Sequence, residues 1–246
     1  MKRVRCALVC GGRFHDFDYA RLELLRHLAE DARVRTRVLD DWSRSDAWAG
    51  ADFLLSYTCD VRPTAEQAEA LAQWVENGGR WFALHGTNSI LEFDGRRVSC
   101  PSLAPRFTAT LGSRFLAHPP IAPYLVHVSD PAHPLVKGIE PFETTDELYL
   151  CELHEPLTTL LHARYSGPTP GFQPAEWRDD APRPVLYLHE VGHGAVLYLT
   201  LGHSRGRLDM QPLVDDYPAV ERGSWELPVF HELLRRGLAW AKREAV

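Results

Sequence analysis

The chain has no apolar run approaching the roughly 18 residues of a membrane-spanning helix, and nowhere does it gather its lysines and arginines into a cluster. The first absence argues against a membrane partner. The second argues against a nucleic-acid partner, since a phosphate backbone is held by gathered positive charge and this chain carries a formal net charge of -6. Cysteine is scarce: Cys6, Cys10, Cys59, Cys100 and Cys151 form no CxxC pair and are odd in number. That pattern fits reduced thiols in a cytoplasmic protein better than a disulfide framework. The basic start Met1-Lys2-Arg3 precedes only a short apolar stretch, Cys6 to Cys10, less than the roughly 7 to 15 residues of an export signal. Walker and GxSxG sequences are missing, and Gly11-Gly12 lacks both the full GxGxxG spacing and its acidic partner.

What is present is a patterned globular sequence. The 246 residues, 45% of them hydrophobic, can bury a sizeable core, and no break requires more than a single domain spanning 1–246. Val4 to Cys10 reads as a buried strand ending in a glycine turn. Leu22, Leu25, Leu28 and Ala29 recur at helical spacing and predict a helix from about Tyr19 to Glu30. Val34–Leu39 and Phe53–Tyr57 read as strands. Thr64 and Gln67 are spaced as a capping box, which opens a helix that Gly78-Gly79 stops. Trp81–Leu84 gives a fourth strand running directly into His85-Gly86. This alternation predicts an α/β fold with a mostly parallel central sheet covered on both faces, and ligand chemistry at the carboxyl ends of its strands.

The second half is less regular. Residues 89–123 and 166–184 are rich in loop residues and are read as loops, the former running over a pocket. Tyr124–Val128, Glu147–Glu152 and Thr159–Ala163 are predicted strands. Val185–Glu190 and Ala195–Thr200 flank Val191-Gly192-His193-Gly194 as a hairpin. Pro228 opens a last helix whose apolar stripe is Phe230, Leu233, Leu234, Leu238 and Ala241.

Several of the twelve histidines stand beside glycine or proline where strands end. His15 follows the first strand, His85 the fourth, His118 lies in Phe-Leu-Ala-His-Pro and His203 in Leu-Gly-His. Imidazole titrates near neutrality, so such a set can move protons, hold an oxyanion or ligate a metal. A strand-end histidine is also often a structural hydrogen-bonding group, and His27, His162, His189 and His231 are read that way. In Asp146-Glu147-Leu148-Tyr149, an extended chain places Glu147 and Tyr149 on one face and Asp146 on the other. Glu147 is the candidate base; a salt bridge or cap is the plainer alternative.

These motifs, taken in order, resemble the ThuA-like (trehalose-utilisation) family of the class I glutamine amidotransferase-like superfamily. The resemblance is carried by Gly11-Gly12 with His15, Ala83-Leu84-His85-Gly86, Phe115-Leu116-Ala117-His118-Pro119, His133-Pro134-Leu135-Val136-Lys137-Gly138-Ile139, Asp146-Glu147-Leu148-Tyr149, Leu201-Gly202-His203 and Arg236-Gly237-Leu238-Ala239-Trp240-Ala241. It implies a flavodoxin-like three-layer sandwich with a strand-turn-helix elbow after the fourth strand. True amidotransferases present a cysteine nucleophile there; this chain has His85, which cannot form a glutamyl thioester, so glutaminase activity is not expected. The resemblance implies a role in carbohydrate catabolism. The hairpin turn at Val191–Gly194 and the long segment Ser204–Gly223 depart from the family pattern, and both are expected at the pocket rim.

The chemistry expected is acid–base catalysis on a sugar or keto-sugar derivative. His85, Glu147 and His203 are the catalytic candidates, and Gly12, His15, His118 and Tyr149 the substrate-binding ones. Trp42, Tyr57 and Trp225 are expected to pack on a sugar face. His85, His118, His203 and Glu147 also have the chemistry to hold a divalent metal such as zinc, without diagnostic spacing. A non-catalytic sugar-binding or assembly module is the remaining alternative, and the oligomeric state stays open, a homo-oligomer included.

Overall fold

Along the first strand, β1 (Val4–Gly12), Cys6, Leu8 and Cys10 pack into one core while Ala7 and Val9 pack into another. A strand apolar on both sides needs cover on both sides. That cover comes from helices, and the result is three layers. The computed structural model describes residues 2–95, 97–154 and 156–246.

Helix α1 (Phe17–Ala29) starts where the Asp16 side chain accepts the Tyr19 amide. After β2 (Val34–Leu39), a short α2 (Ser45–Ala49) and β3 (Phe53–Cys59), helix α3 (Ala65–Glu76) opens with both capping-box bonds in place, Thr64 to Gln67 and back. β4 (Arg80–Leu84) follows. The last helix, α5 (Pro228–Ala241), carries the predicted stripe, all of it buried. Helices α1 and α5 cover one face of the sheet; α2, α3 and α4 (Pro105–Leu111) cover the other.

The predicted loop over residues 89–123 holds structure: β5 (Glu92–Asp94), β6 (Arg97–Ser99), α4 and β7 (Ser113–Ala117). Pro105 sits in the first turn of α4, Gly112 closes it in a left-handed conformation, and Phe107 and Leu111 supply buried anchors. Two apolar residues in a seven-residue helix are too few for a visible period. Beyond β8 (Ala122–Val128), β9 (Phe142–Asp146) lies where no strand was predicted, and β10 (Leu150–Leu153) begins later than expected, leaving Glu147 and Tyr149 in the irregular link between them. β11 (Thr158–Arg164) leads into a segment with three two-residue strands, β12 (Gly167–Pro168), β13 (Phe172–Gln173) and β14 (Glu176–Trp177), before the hairpin β15 (Pro182–Val191) and β16 (Gly194–Leu199).

The main sheet has nine strands in the order β2-β1-β3-β4-β16-β15-β11-β8-β9. Among the described residues, four neighbouring pairs are parallel and four antiparallel, so the sheet is mixed rather than mostly parallel. The reason is connection length. Crossover helices α1 and α3 make the first half parallel, whereas the two-residue turn between β15 and β16 forces an antiparallel return. β16 then pairs parallel with β4, which sets its carboxyl end beside those of β1, β3 and β4. The same topology corrects the position of the Val191–Gly194 turn. It enters β16 at the opposite end, where His193 N–H donates to Glu76 O at the end of α3, and not at the pocket rim.

Two stability predictions follow from these contacts. Thr64→Ala removes the cap of α3 and should cost about 1 kcal/mol in urea denaturation. Gly86→Ala would place a methyl group 2.5 Å from Thr58 O and 2.8 Å from Cys59 Cβ, so β3 and the turn after β4 must part. Its cost should be about 2 kcal/mol or more by the same measurement; unchanged unfolding would contradict that close approach.

Candidate functional site

Three parallel strands each deliver one imidazole at the carboxyl edge of the sheet. At the end of β1, a Cβ on Gly12 would lie 1.9 Å from Cys59 O, so glycine is what lets β1 and β3 end in contact before the chain turns to His15. β4 ends at His85, which stands in the left-handed region at φ 44° and opens a 3-10 turn, His85–Asn88. A non-glycine residue holds that conformation only where its surroundings fix it. Here Tyr198 Oη donates to His85 O, and Thr87 Oγ1 donates to Leu84 O. β16 leads to Gly202 and His203, whose amides both donate to the buried carboxylate of Asp146. Asp146 therefore faces away from Glu147, as the alternation of an extended chain suggested, and ties the His203 loop to Ser224. Tyr57 Oη and Trp225 Nε1 donate to Gly202 O from the other side.

The side chains of His15, His85, His203 and Glu147 are buried and converge, with one nitrogen or oxygen of each within 4.8 Å of the others. His15 Nε2 and His85 Nε2 stand 2.8 Å apart. Glu147 Oε2 lies 3.6 Å from the first and 3.4 Å from the second, while Glu147 Oε1 lies 3.2 Å from His203 Nδ1. The remaining ring nitrogens fix the tautomers. His85 Nδ1–H donates to Thr200 O at 2.9 Å, His15 Nδ1–H to Arg13 O at 3.3 Å, and His203 Nε2–H to Glu221 Oε2 at 2.8 Å. A carbonyl can only accept, so His15 and His85 each turn an Nε2 lone pair inward, while His203 turns its Nδ1 toward Glu147. His203 Nδ1 faces Glu147 Oε1 off the direction of an ideal hydrogen bond.

Burial alone would raise Glu147, but the imidazoles of His203, His118 and His15 overcome it and hold the carboxyl well below its usual range. Burial lowers His15 to about 3, with His85 pushing the same way against Glu147. For His203 the balance reverses: burial lowers it, yet Glu147 and Glu221 carry it up to about 9. Arg205 bridges the two carboxylates, donating to Glu147 Oε1 at 3.0 Å and Glu221 Oε2 at 3.2 Å. Arg205 and the raised His203 thus both face this pair of carboxylates.

Above the centre is a cavity of about 160 Å³ whose walls include Phe14, Phe93, Phe115 and Phe172 and whose floor includes His15, Glu147 and Tyr149. Tyr149 Oη lies 3.3 Å from His85 Nε2. His118 also lines the cavity. Its Nδ1–H donates to Pro119 O at 2.7 Å, and its Nε2 stands 3.6 Å from Glu147 Oε1, outside the four-residue cluster. Gly12 lies in an adjoining polar cleft rather than on the cavity wall. Trp42, Tyr57 and Trp225 are buried core residues and do not reach the cavity, whose aromatic lining is Phe14, Phe93, Phe115, Phe172 and Tyr149 together with its histidines. Trp42 was misplaced because an aromatic at a strand end looks the same in sequence whether it packs outward or, as here, on Trp81 and Phe107.

Arg205 and Glu221 were missed in the sequence. Arg205 shared its alternation with His203, a usable signal; Glu221 had none, because it returns through the 206–220 excursion and pairs backbone to backbone with Arg205. That excursion does reach the cavity, through Met210 and Leu213. His189-Glu190-Val191-Gly192-His193 has the literal HExxH spacing of zinc peptidases. It lies on β15 and its turn, without the helix face that spacing requires, and His189 Nδ1–H donates to Thr110 O. The five cysteines are unpaired, and burial pushes the Cys59 thiol at the cavity well above its ordinary value, which leaves no thiolate nucleophile there.

Comparison with known proteins adds the family. No curated protein matches. A protein described as ThuA-like from Parabacteroides merdae superposes with a TM-score of 0.65 at 16% identity, over 100% of this chain and 92% of that one. One from Bacteroides uniformis gives 0.67 at 16%, over 98% and 91%. A β-galactosidase from Rahnella sp. R3 gives 0.57 at 13%, with 98% of this chain lying on 32% of that one. At such identities the likeness concerns the fold. The family described as "ThuA: Trehalose utilisation" matches residues 7–215, and the chain, with its ordered motifs and its elbow at His85, belongs to the ThuA family.

Proposed function

We propose that this chain is an enzyme of carbohydrate catabolism that moves a proton at a carbon next to the carbonyl of a keto-sugar derivative. Membership of a trehalose-utilisation family supports the carbohydrate role. The observation that carries the chemistry is Glu147, buried at the floor of an aromatic-walled cavity among four imidazoles. Enolisation needs a base for the carbon-bound proton and positive or donor groups for the developing oxyanion. Arg205 and the Tyr149 hydroxyl, both lining the cavity beside the four-residue centre, supply donors for the oxygen. His118, beside it and open to the cavity with its Nε2 uncommitted, carries the proton. The cavity is smaller than the roughly 300 Å³ of drug-sized pockets, so it takes one ring, whose apolar face meets Phe115 and Phe172. The elbow at His85 and the parallel half of the sheet support a class I amidotransferase-like ancestry, while imidazole in place of thiolate supports loss of glutaminase chemistry.

Deuterium incorporation from D₂O into a keto-glycoside, read by NMR, tests the reaction. The protein should catalyse exchange at the carbon beside the carbonyl, and His118→Gln should lower that rate about 10² to 10⁴-fold with circular dichroism unchanged. Full activity in the variant would remove His118 from the mechanism. Heat protection by the same ligand without exchange or product would transfer the reading to a non-catalytic sugar-binding module. Phe172→Ala should weaken ligand binding about fivefold, equivalent to about 1 kcal/mol, measured by titration calorimetry.

A further inference from the structure

The outer bonds of His15 and His85 turn two ring lone pairs toward each other at 2.8 Å, and the Tyr149 hydroxyl, 3.3 Å from His85 Nε2, can answer only one of them. A proton between the rings would relieve one contact. It would leave His203 Nδ1 and the Glu147 carboxylate, 3.2 Å apart, still directed into the same cluster. One particle satisfies all four at once. We propose that His15 Nε2, His85 Nε2, His203 Nδ1 and Glu147 bind a first-row divalent transition-metal cation of the zinc class at the cavity floor.

The spacing of the donors supports this. Bonds of about 2.05 Å directed to the corners of a tetrahedron put neighbouring donor atoms about 3.3 Å apart. The spacings here are 2.8 Å between the two Nε2 atoms and 3.4 Å and 3.6 Å from these to Glu147 Oε2. His203 Nδ1 lies 3.2 Å from the other oxygen, Oε1, with the whole set within 4.8 Å, so binding draws His203 inward. Three imidazoles and one carboxylate suit zinc and its neighbours better than the all-oxygen shell that magnesium and calcium prefer.

The surroundings are those of a metal site as well. Every ligating imidazole has its second nitrogen donating to a fixed oxygen: Arg13 O, Thr200 O and the Glu221 carboxylate. Such outer partners orient the ring and strengthen it as a ligand. Arg205 fixes Glu147 Oε1 and leaves Oε2 turned toward His15 and His85. His15 and Glu147 face the cavity, so an ion held here is reachable by a ligand oxygen, which it would polarise as a Lewis acid. His118 stays outside the set. The site rests on these donors and not on the keto-sugar reading, which it deepens by naming what holds the oxygen.

Elemental analysis of the full chain, purified without added metal from a culture containing zinc, manganese, iron and cobalt, tests the site. The expected result is one ion per chain, falling about tenfold or more in Glu147→Gln and in His15→Gln. In His118→Gln the metal should remain while exchange is lost. Titrating chelator-stripped protein with cobalt(II) should restore the melting temperature and give the visible absorption of a bound ion; if the Gln variants fold poorly, this measurement on the natural chain stands alone. Sub-stoichiometric metal, no response to cobalt, or full metal in both ligand variants would overturn the site. One ion per chain without keto-sugar chemistry would keep the site and overturn the reaction, and full turnover by metal-free protein would do the reverse.

Discussion

The convergence of three buried imidazoles on one buried carboxylate is the constraint around which this protein is organised. Burying so many polar groups together is costly unless each is held by a partner. Each group is held from behind. Thr200 O, Arg13 O and Glu221 hold the rings, Arg205 holds Glu147, and Asp146 fixes the amides of Gly202 and His203. The strain at His85, in the left-handed region, belongs to the same arrangement.

The fold explains how so unfavourable a cluster can be assembled. Parallel strands β1, β4 and β16 all end at one edge, and their ends are stiff because both faces of the sheet are buried. The antiparallel half then contributes what parallel strands cannot. β9, at its edge, leads through an irregular link that carries Glu147 and Tyr149 into β10, which pairs with β7 in a separate two-stranded sheet, and β7 ends one residue before His118. A mixed sheet is thus the means by which an acidic residue meets three strand-end imidazoles.

Much of this was legible in the sequence. The glycine after β1, the capping box at Thr64 and the run of β4 into His85-Gly86 are local signals with local causes, and they fix the parallel half together with its histidines. Glu147 and Tyr149 were grouped by assuming an extended chain, whereas both stand on an irregular link and meet at the cavity for tertiary reasons. The antiparallel half was not legible, because turn length and not helix pattern decides its direction, and the short elements α4 and β9 bury too few residues to show a period. The exclusion of His118 from the inner four turns on a distance no sequence encodes, since His15 and His118 both follow strands and both face the cavity. Glu221 was hidden for a different reason: its partner His203 lies across an excursion of 206–220 with no regular pattern.

The most direct measurement is anomalous X-ray diffraction from crystals of the protein purified without added metal, recorded on both sides of the absorption edge of the metal found. The account predicts one anomalous peak about 2.0–2.3 Å from His15 Nε2, His85 Nε2, His203 Nδ1 and a Glu147 oxygen. A density map with no such peak, and with His15 and His85 sharing a proton or a water in its place, would contradict it.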